Sequence, residues 1–376
     1  MNTISISRRR FAQLLGASAA AAVTRPAASF ARESVSSKNA TAVVRLSSNE
    51  NPYGPSAKAL KAISDAFDLA CRYPDEHADL LVAALAKNDG VSSDQILLGA
   101  GSGEILKICA TTFTAPAAHQ DGGGRLVVAD PTFEALASHA ARHGAEVVKI
   151  PLTSTFTHDL PAMAAALQGG LVYICNPNNP TASITPKSEV RAFIESAPRE
   201  TMILVDEAYH HFVESADYES VIPLIRDHPN LIVARTFSKI YGMAGMRCGY
   251  CIAQPETIKR MRPHQLYDSV NISALVASVA SLGDSAQVAN GRRLNTDAKT
   301  FTLRELENMG YTAIPSEANF IMFDLKRPVV PVIAAMKERN VQVGRLFPAL
   351  PNHMRLTIGK KTEMESFLTA FRAATA

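Results

Sequence analysis

Short apolar runs alternate with helical patterns along most of this chain, and that alternation limits the possible folds more than any other feature. The runs fall at residues 95–98, 126–129, 147–150, 171–175, 202–205, 231–234 and 250–253. Strands of this length separated by helices build an α/β fold around a mostly parallel, doubly wound sheet, with ligand groups at the carboxyl ends of the strands. After about residue 290 a polar–apolar helix is expected at 292–309, followed by strand-like segments at 318–323 and 341–343. These belong to a second, smaller α+β unit at the C-terminus. A chain of 376 residues with 47% hydrophobic content has the length for two such domains and buries a large core. There is no internal repeat, and the glycine run at 122–124 marks a surface loop.

The segment 236–250, reading TFSKIYGMAGMRCGY, follows the apolar run at 231–234 and places one lysine among hydroxyls and an arginine. A lone lysine is ordinarily a solvated surface charge. Here Lys239 is trailed by Gly242, Gly245 and Gly249, which suit a loop wrapped closely around a ligand. A lysine held in such a loop could form an imine with an aldehyde. Thr236, Ser238 and Arg247 offer the hydroxyls and the guanidinium fork that a phosphate ester beside that aldehyde requires. Pyridoxal phosphate carries both groups. A second half of a phosphate cup lies at GAGSGE, 99–104, which follows the run at 95–98 and opens a helical pattern at 105–113. Backbone N–H groups and a helix dipole there would face an anion. Taken alone, this glycine turn could equally be a nucleotide loop.

With these segments in this order, and with DPTF at 130–133, NPNNPT at 176–181, VDEAY at 205–209 and HMRLT at 353–357, the chain resembles a fold-type I, class I/II aminotransferase. Within that superfamily it is most similar to the histidinol-phosphate aminotransferase branch, from about residue 40 to the end. The resemblance implies pyridoxal 5'-phosphate as cofactor, with Ser102 and Gly103 on its phosphate and Phe133 stacked on its ring, where the family usually has Tyr or Trp. Asp206 would keep the ring nitrogen protonated, making the cofactor an electron sink. Tyr209 and Asn179 would hydrogen-bond the ring's phenolic oxygen. For an Asp after a strand the alternative is a helix N-cap. Ala182 stands where the family has glycine, restricting the backbone if a positive φ is needed. A small loop shift is therefore expected, with Asn179 retained.

Arg355 matches the family's clamp for the α-carboxylate of the substrate, for which arginine offers a bidentate fork. Its alternative is a surface ion pair. Arg345, in VGRLFP at 343–348, is expected to reach the distal end of the substrate. NENPYGP at 49–55 and RYPD at 72–75 resemble segments that close the site, Tyr53 near the substrate and Tyr73 on the phosphate of a neighbouring protomer. They imply a homodimer with shared sites. The implied reaction moves an amino group from an amino donor to a 2-oxo acid by a ping-pong cycle, with Lys239 as the general base. A decarboxylase or carbon–sulfur lyase of the same fold, or a non-catalytic periplasmic binding protein, are the alternatives.

The remaining signals concern location and chemistry outside this site. Residues 7–11, SRRRF, precede an apolar stretch at 14–23 that is too short to span a membrane. This pattern resembles a twin-arginine export signal, with cleavage expected after Ala31 and a periplasmic location served by the twin-arginine export machinery. A basic tail on a cytoplasmic enzyme is the other reading. The expected division is a signal peptide at 1–31, an N-terminal arm at 32–60, a cofactor-binding large domain at 61–285 and a small domain at 286–376. Four of the arginines behind the net charge of +3 lie in the first 31 residues, which hold no acid, so the rest carries −1 and no nucleic-acid footprint. Cys248 and Cys251 are three apart on an expected strand, which points them to opposite faces and argues against a disulfide. His210-His211 lacks the further ligands of a metal site, so no metal is expected.

Overall fold

The apolar runs are strands, and almost all of their residues are buried. In the computed structural model, which describes residues 43–115 and 124–376, a two-residue strand β1 (Val44–Arg45) precedes a seven-stranded sheet. That sheet consists of β2 (Ile96–Gly99), β3 (Arg125–Asp130), β4 (Glu146–Pro151), β5 (Leu171–Cys175), β6 (Met202–Asp206), β7 (Leu231–Thr236) and β8 (Gly249–Ala253). The expected signal at 1–31, the start of the arm and glycines 122 and 123 lie outside the described residues.

The strand order is β2-β8-β7-β6-β5-β3-β4. β4, β3, β5, β6 and β7 run parallel, whereas β8 is antiparallel to both β7 and β2. Parallel strands covered on both faces read as continuous apolar runs, because side chains on either side of the pleat meet helices. The two faces can be followed along β5. Val172 and Ile174 join one apolar cluster with Leu81, Leu85, Phe193 and Leu275, while Leu171, Tyr173 and Cys175 join another with Ile105, Phe113 and Leu136. Only β4 breaks the pattern. It is one of the two edge strands, and its exposed Glu146, Lys149 and Pro151 are the kinds of residue that discourage further strand pairing.

The cysteines follow the same two-face logic: Cys248 packs in the first cluster and Cys251 in the second, and both are free thiols. A third cluster forms around β9 (Phe320–Asp324), β10 (Val341–Gln342) and β11 (His353–Thr357). Here β9 pairs antiparallel with β11, and β10 pairs parallel with β1, so the chain's early residues are built into the C-terminal core. The helix expected at 292–309 spans Ser285–Asn308. Its first turns, SAQVANG, carry no apolar stripe and include a glycine, so periodicity alone starts the helix two turns late.

A buried ionic network fastens the strands behind the site. Arg235 on β7 donates to Glu207 at 2.8 and 3.1 Å, to Asp89 at 2.8 Å and to Ser220 at 2.9 Å. Glu207 also accepts from the Val221 N–H and the Ser220 hydroxyl, and Tyr250 donates to Asp89, each at 2.9 Å. All three charged side chains are at least nine-tenths buried.

Candidate active site

The strand order reverses between β3 and β5, since β3 connects outward to β4 on one side and the later strands follow β5 on the other. Crevices form at such a switch point, outside the carboxyl ends of the strands. Phe133 follows β3, Asn179 follows β5, Asp206 and Tyr209 follow or end β6, and Ser238 and Lys239 follow β7. All six line one cavity of about 740 Å³. Ser102, Gly103, Thr236 and Arg247 line the same cavity, as do Arg345 and Arg355 from the C-terminal core. Tyr53 and Tyr73 do not: in this chain they stand outside it, 40% and 82% exposed.

One end of the cavity is built for an anion. The helix Ser102–Thr114 begins here with no side-chain cap, so its first N–H groups remain open to a ligand. Arg247 Nη1 donates to Ser238 Oγ at 3.4 Å, and Thr236 Oγ1 lies 2.9 Å from Ser238 Oγ. Two glycines permit this closeness. A Cβ on Gly101, whose φ is 81°, would fall 2.2 Å from Arg247 Nη2, and one on Gly249 would fall 2.4 Å from the Ser102 nitrogen.

The middle of the cavity holds a carboxylate and an amine whose charges are both disfavoured by burial. Asp206 accepts from the Tyr173 hydroxyl at 2.9 Å and the Ala208 N–H at 3.0 Å. Burial pushes its pKa up to about 6, with those two donors opposing the rise, so most of it is ionised at neutral pH. Lys239 Nζ donates to the Asn49 carbonyl at 3.1 Å. Burial, aided by the positive charge of Arg355, lowers its pKa to about 8. In the cofactor-free protein, labelling of Lys239 by a small amine reagent is therefore expected to rise through pH 8. A midpoint near the ordinary lysine value of about 10.4 would contradict this account.

At the far end Arg355 Nη1 donates to Asn179 Oδ1 at 2.7 Å and Nη2 to the Ser47 carbonyl at 2.5 Å, while its Nε is buried without a partner. A guanidinium oriented by two neutral acceptors, with no carboxylate among the described residues paired to it, keeps its positive charge on the cavity and suits an incoming carboxylate. Tyr209 accepts from Asn49 Nδ2 at 3.1 Å and from Asn179 Nδ2 at 3.5 Å.

Two residues central to this geometry escape sequence reasoning. Asn49 is 1% exposed with φ 55°, and besides Lys239 and Tyr209 it engages Thr357 through both main chain and side chain. Those partners lie 160 to 308 residues away, so the segment 49–55 is marked by resemblance while the contacts of Asn49 itself are not. Tyr173 sits mid-strand and reads as core, yet its hydroxyl holds Asp206. Ala182 does adopt a positive φ, 62°. The left-handed cost for a non-glycine residue is about 1–2 kcal/mol. Its fully buried methyl group packs in the main core and offsets about 0.8 kcal/mol of this, and alanine also loses less backbone entropy than glycine. The two sides are close enough that alanine is tolerated. Asn179 keeps its place on the cavity. The rings of His210 and His211 lie with centroids 3.7 Å apart, tilted by 43°, and burial lowers the pKa of both. Among the described residues no group of three His, Cys, Asp or Glu side chains could hold a metal ion.

An anion cup, a buried carboxylate, a lysine whose pKa is lowered to about 8 and an arginine without a counter-carboxylate fit pyridoxal phosphate and an acidic substrate. Fold and site together define a fold-type I pyridoxal-phosphate enzyme. The family model described as aminotransferase class I and II matches residues 41–371, and the chain belongs to that family. It is 38% identical over 335 residues to a histidinol-phosphate aminotransferase of Moorella thermoacetica, covering 88% of this chain and 85% of that protein. A histidinol-phosphate aminotransferase of Symbiobacterium thermophilum is likewise 38% identical over 335 residues, covering 88% of this chain and 90% of that protein. The crystal structure of histidinol-phosphate aminotransferase from Sinorhizobium meliloti in complex with pyridoxal-5'-phosphate superposes with a TM-score of 0.82 at 25% identity, over 93% of this chain and 98% of that one. This chain is a pyridoxal-phosphate-dependent aminotransferase, using an amino donor and a 2-oxo acid.

Proposed function

We propose that the donor is an amino acid or amino-alcohol phosphate of the histidinol-phosphate or aromatic type, and that its amino group passes to a 2-oxo acid in two half-reactions. The observation that carries this reading is Arg355, held by the neutral acceptors Asn179 Oδ1 and the Ser47 carbonyl and lining the same cavity as Lys239. An acidic group bound by Arg355 presents the neighbouring amine-bearing carbon toward the lysine.

Ser102, Gly103, Thr236, Ser238 and Arg247 would hold the cofactor phosphate, Phe133 its ring face, Asp206 its ring nitrogen, and Asn179 and Tyr209 its phenolic oxygen. When bound, the cofactor supplies an electron sink for the bond broken at the substrate's Cα. Asp206 keeps a proton on the ring nitrogen by remaining ionised beside it. Tyr173 and the Ala208 N–H fix the direction of its lone pairs. Lys239, neutral above about pH 8, takes the α-proton at Nζ and returns it on the other side of the transfer. Arg355 fixes the orientation of the bond to be broken.

The finer setting is part of the same proposal. Tyr53 and Tyr73 complete the site of a neighbouring protomer in a homodimer, a reading supported by their exposure and by Tyr267, which is 86% exposed and hydrogen-bonds Asp75. A large domain ends near residue 285 and a small one follows. The arginine cluster at 8–10 and the apolar stretch after it direct twin-arginine export to the periplasm, a route that carries folded, cofactor-loaded proteins.

A donor panel with 2-oxoglutarate tests the chemistry. Histidinol phosphate, histidine, phenylalanine and tyrosine are each incubated with the purified enzyme, and glutamate is measured. Glutamate formed in step with the donor's carbonyl product is expected for at least one of them. Carbon dioxide or ammonia released without glutamate would instead place the chain with decarboxylases or lyases of this fold.

A further inference from the structure

Two guanidinium groups face the substrate end of the cavity, and they are treated differently by their surroundings. Both lie against the ring of Phe347, Arg345 at 4.4 Å and Arg355 at 5.1 Å from its centroid. The partners of Arg355, Asn179 Oδ1 and the Ser47 carbonyl, are neutral, so its positive charge has no counter-carboxylate among the described residues. Arg345 is paired to a carboxylate: Nη2 donates to Glu134 Oε2 at 2.5 Å, and Nη1 to the Leu346 carbonyl at 2.9 Å. Glu134 follows Phe133, the residue facing the cofactor ring, and itself lines the cavity.

We propose that Glu134 is a specificity-determining residue which, by holding Arg345, makes this an anion pocket for a carboxylate in preference to a phosphate ester. The proposal rests on Arg355 being the anion clamp, and it chooses between the two donor classes left open by that reading. A phosphate monoester carries close to two negative charges at neutral pH, a carboxylate one. One guanidinium without a counter-carboxylate matches the second. The first needs Arg345 as well, and it meets the Glu134 carboxylate with about twice the repulsion. The Arg345–Glu134 pair is about half exposed on both sides, 54% and 53%. Exposed pairs are weak, so a phosphate donor can displace Glu134 at a modest cost in affinity.

The test uses the cofactor-loaded enzyme and two probes that lack an amine and cannot turn over: 3-(imidazol-4-yl)propanoate and 3-(imidazol-4-yl)propyl phosphate. Calorimetric titration gives a Kd for each, and their ratio is the readout. Glu134→Gln is expected to move the ratio about fivefold toward the phosphate probe, as loss of one exposed pair allows. Adding Arg345→Gln is expected to return it. An unmoved ratio in Glu134→Gln, or a shift that survives Arg345→Gln, overturns the proposal. Arg355→Gln separates the two levels. If it weakens both probes while Glu134→Gln leaves the ratio unmoved, only the role of Glu134 falls. If it weakens neither, the clamp is misassigned and the proposal falls with it.

Discussion

Replacing Lys239 with alanine is expected to lower the rate of transamination by at least about four orders of magnitude, because one side chain supplies both the covalent attachment point and the base. The fold should not suffer. Lys239 is buried beside Arg355, and its pKa of about 8 shows that the protein holds its ammonium at a cost. The sign follows from proton linkage. Below about pH 8 both folded and unfolded lysine carry the proton, and the folded state bears the full penalty of burying it. Between 8 and 10.5 the unfolded state binds more protons, and stability rises with pH. Alanine removes that penalty at neutral pH. Since Lys239 borders an open cavity, little packing is lost, and the melting temperature of the cofactor-free variant should equal or exceed that of the native protein. Substantial transamination by this variant would refute the role of Lys239, and a marked fall in its melting temperature would refute the burial argument.

Glu207→Ala is expected to do the opposite, destabilising the protein by about 3–5 kcal/mol, the usual result of stripping one partner from a buried ion pair. Arg235 would keep Asp89 and lose two hydrogen bonds, while the Ser220 hydroxyl and the Val221 N–H would lose their acceptor. Glutamine is no remedy. Both carboxylate oxygens accept from donors, so an amide NH₂ would have to face either Arg235 and Ser220 or the Val221 N–H. Chemical denaturation of the cofactor-free variants measures this directly, and a loss below about 1 kcal/mol for Glu207→Ala would show that the network is dispensable.

These two neighbouring sites show how far the sequence could be read. The strands were legible because parallel sheets buried on both faces leave continuous apolar runs, and β5 matches its expected limits to the residue. Residues that line the cavity were legible where they follow such runs, as Asp206 and Lys239 do. Choosing Asp206 over Glu207 needed the resemblance, because adjacent residues at a strand end point to opposite faces and only tertiary partners show which face holds the cavity. In the structure Glu207 turns to Arg235 and Asp206 to the cavity. Asn49 stayed hidden for a similar reason. Its partners come from four distant segments, and nothing in its own neighbourhood specifies them. The start of the helix Ser285–Asn308 was missed because its first turns bury little and so lack an apolar stripe.

The most direct test of the central claim, that Lys239 carries the cofactor at the junction of anion cup, carboxylate and arginine clamp, is borohydride reduction of the purified enzyme followed by mass spectrometry of its peptides. The account predicts a visible absorbance band lost on reduction and a phosphopyridoxyl group on Lys239 alone. No band and no adduct after incubation with added pyridoxal phosphate, or an adduct on a different lysine, would contradict it.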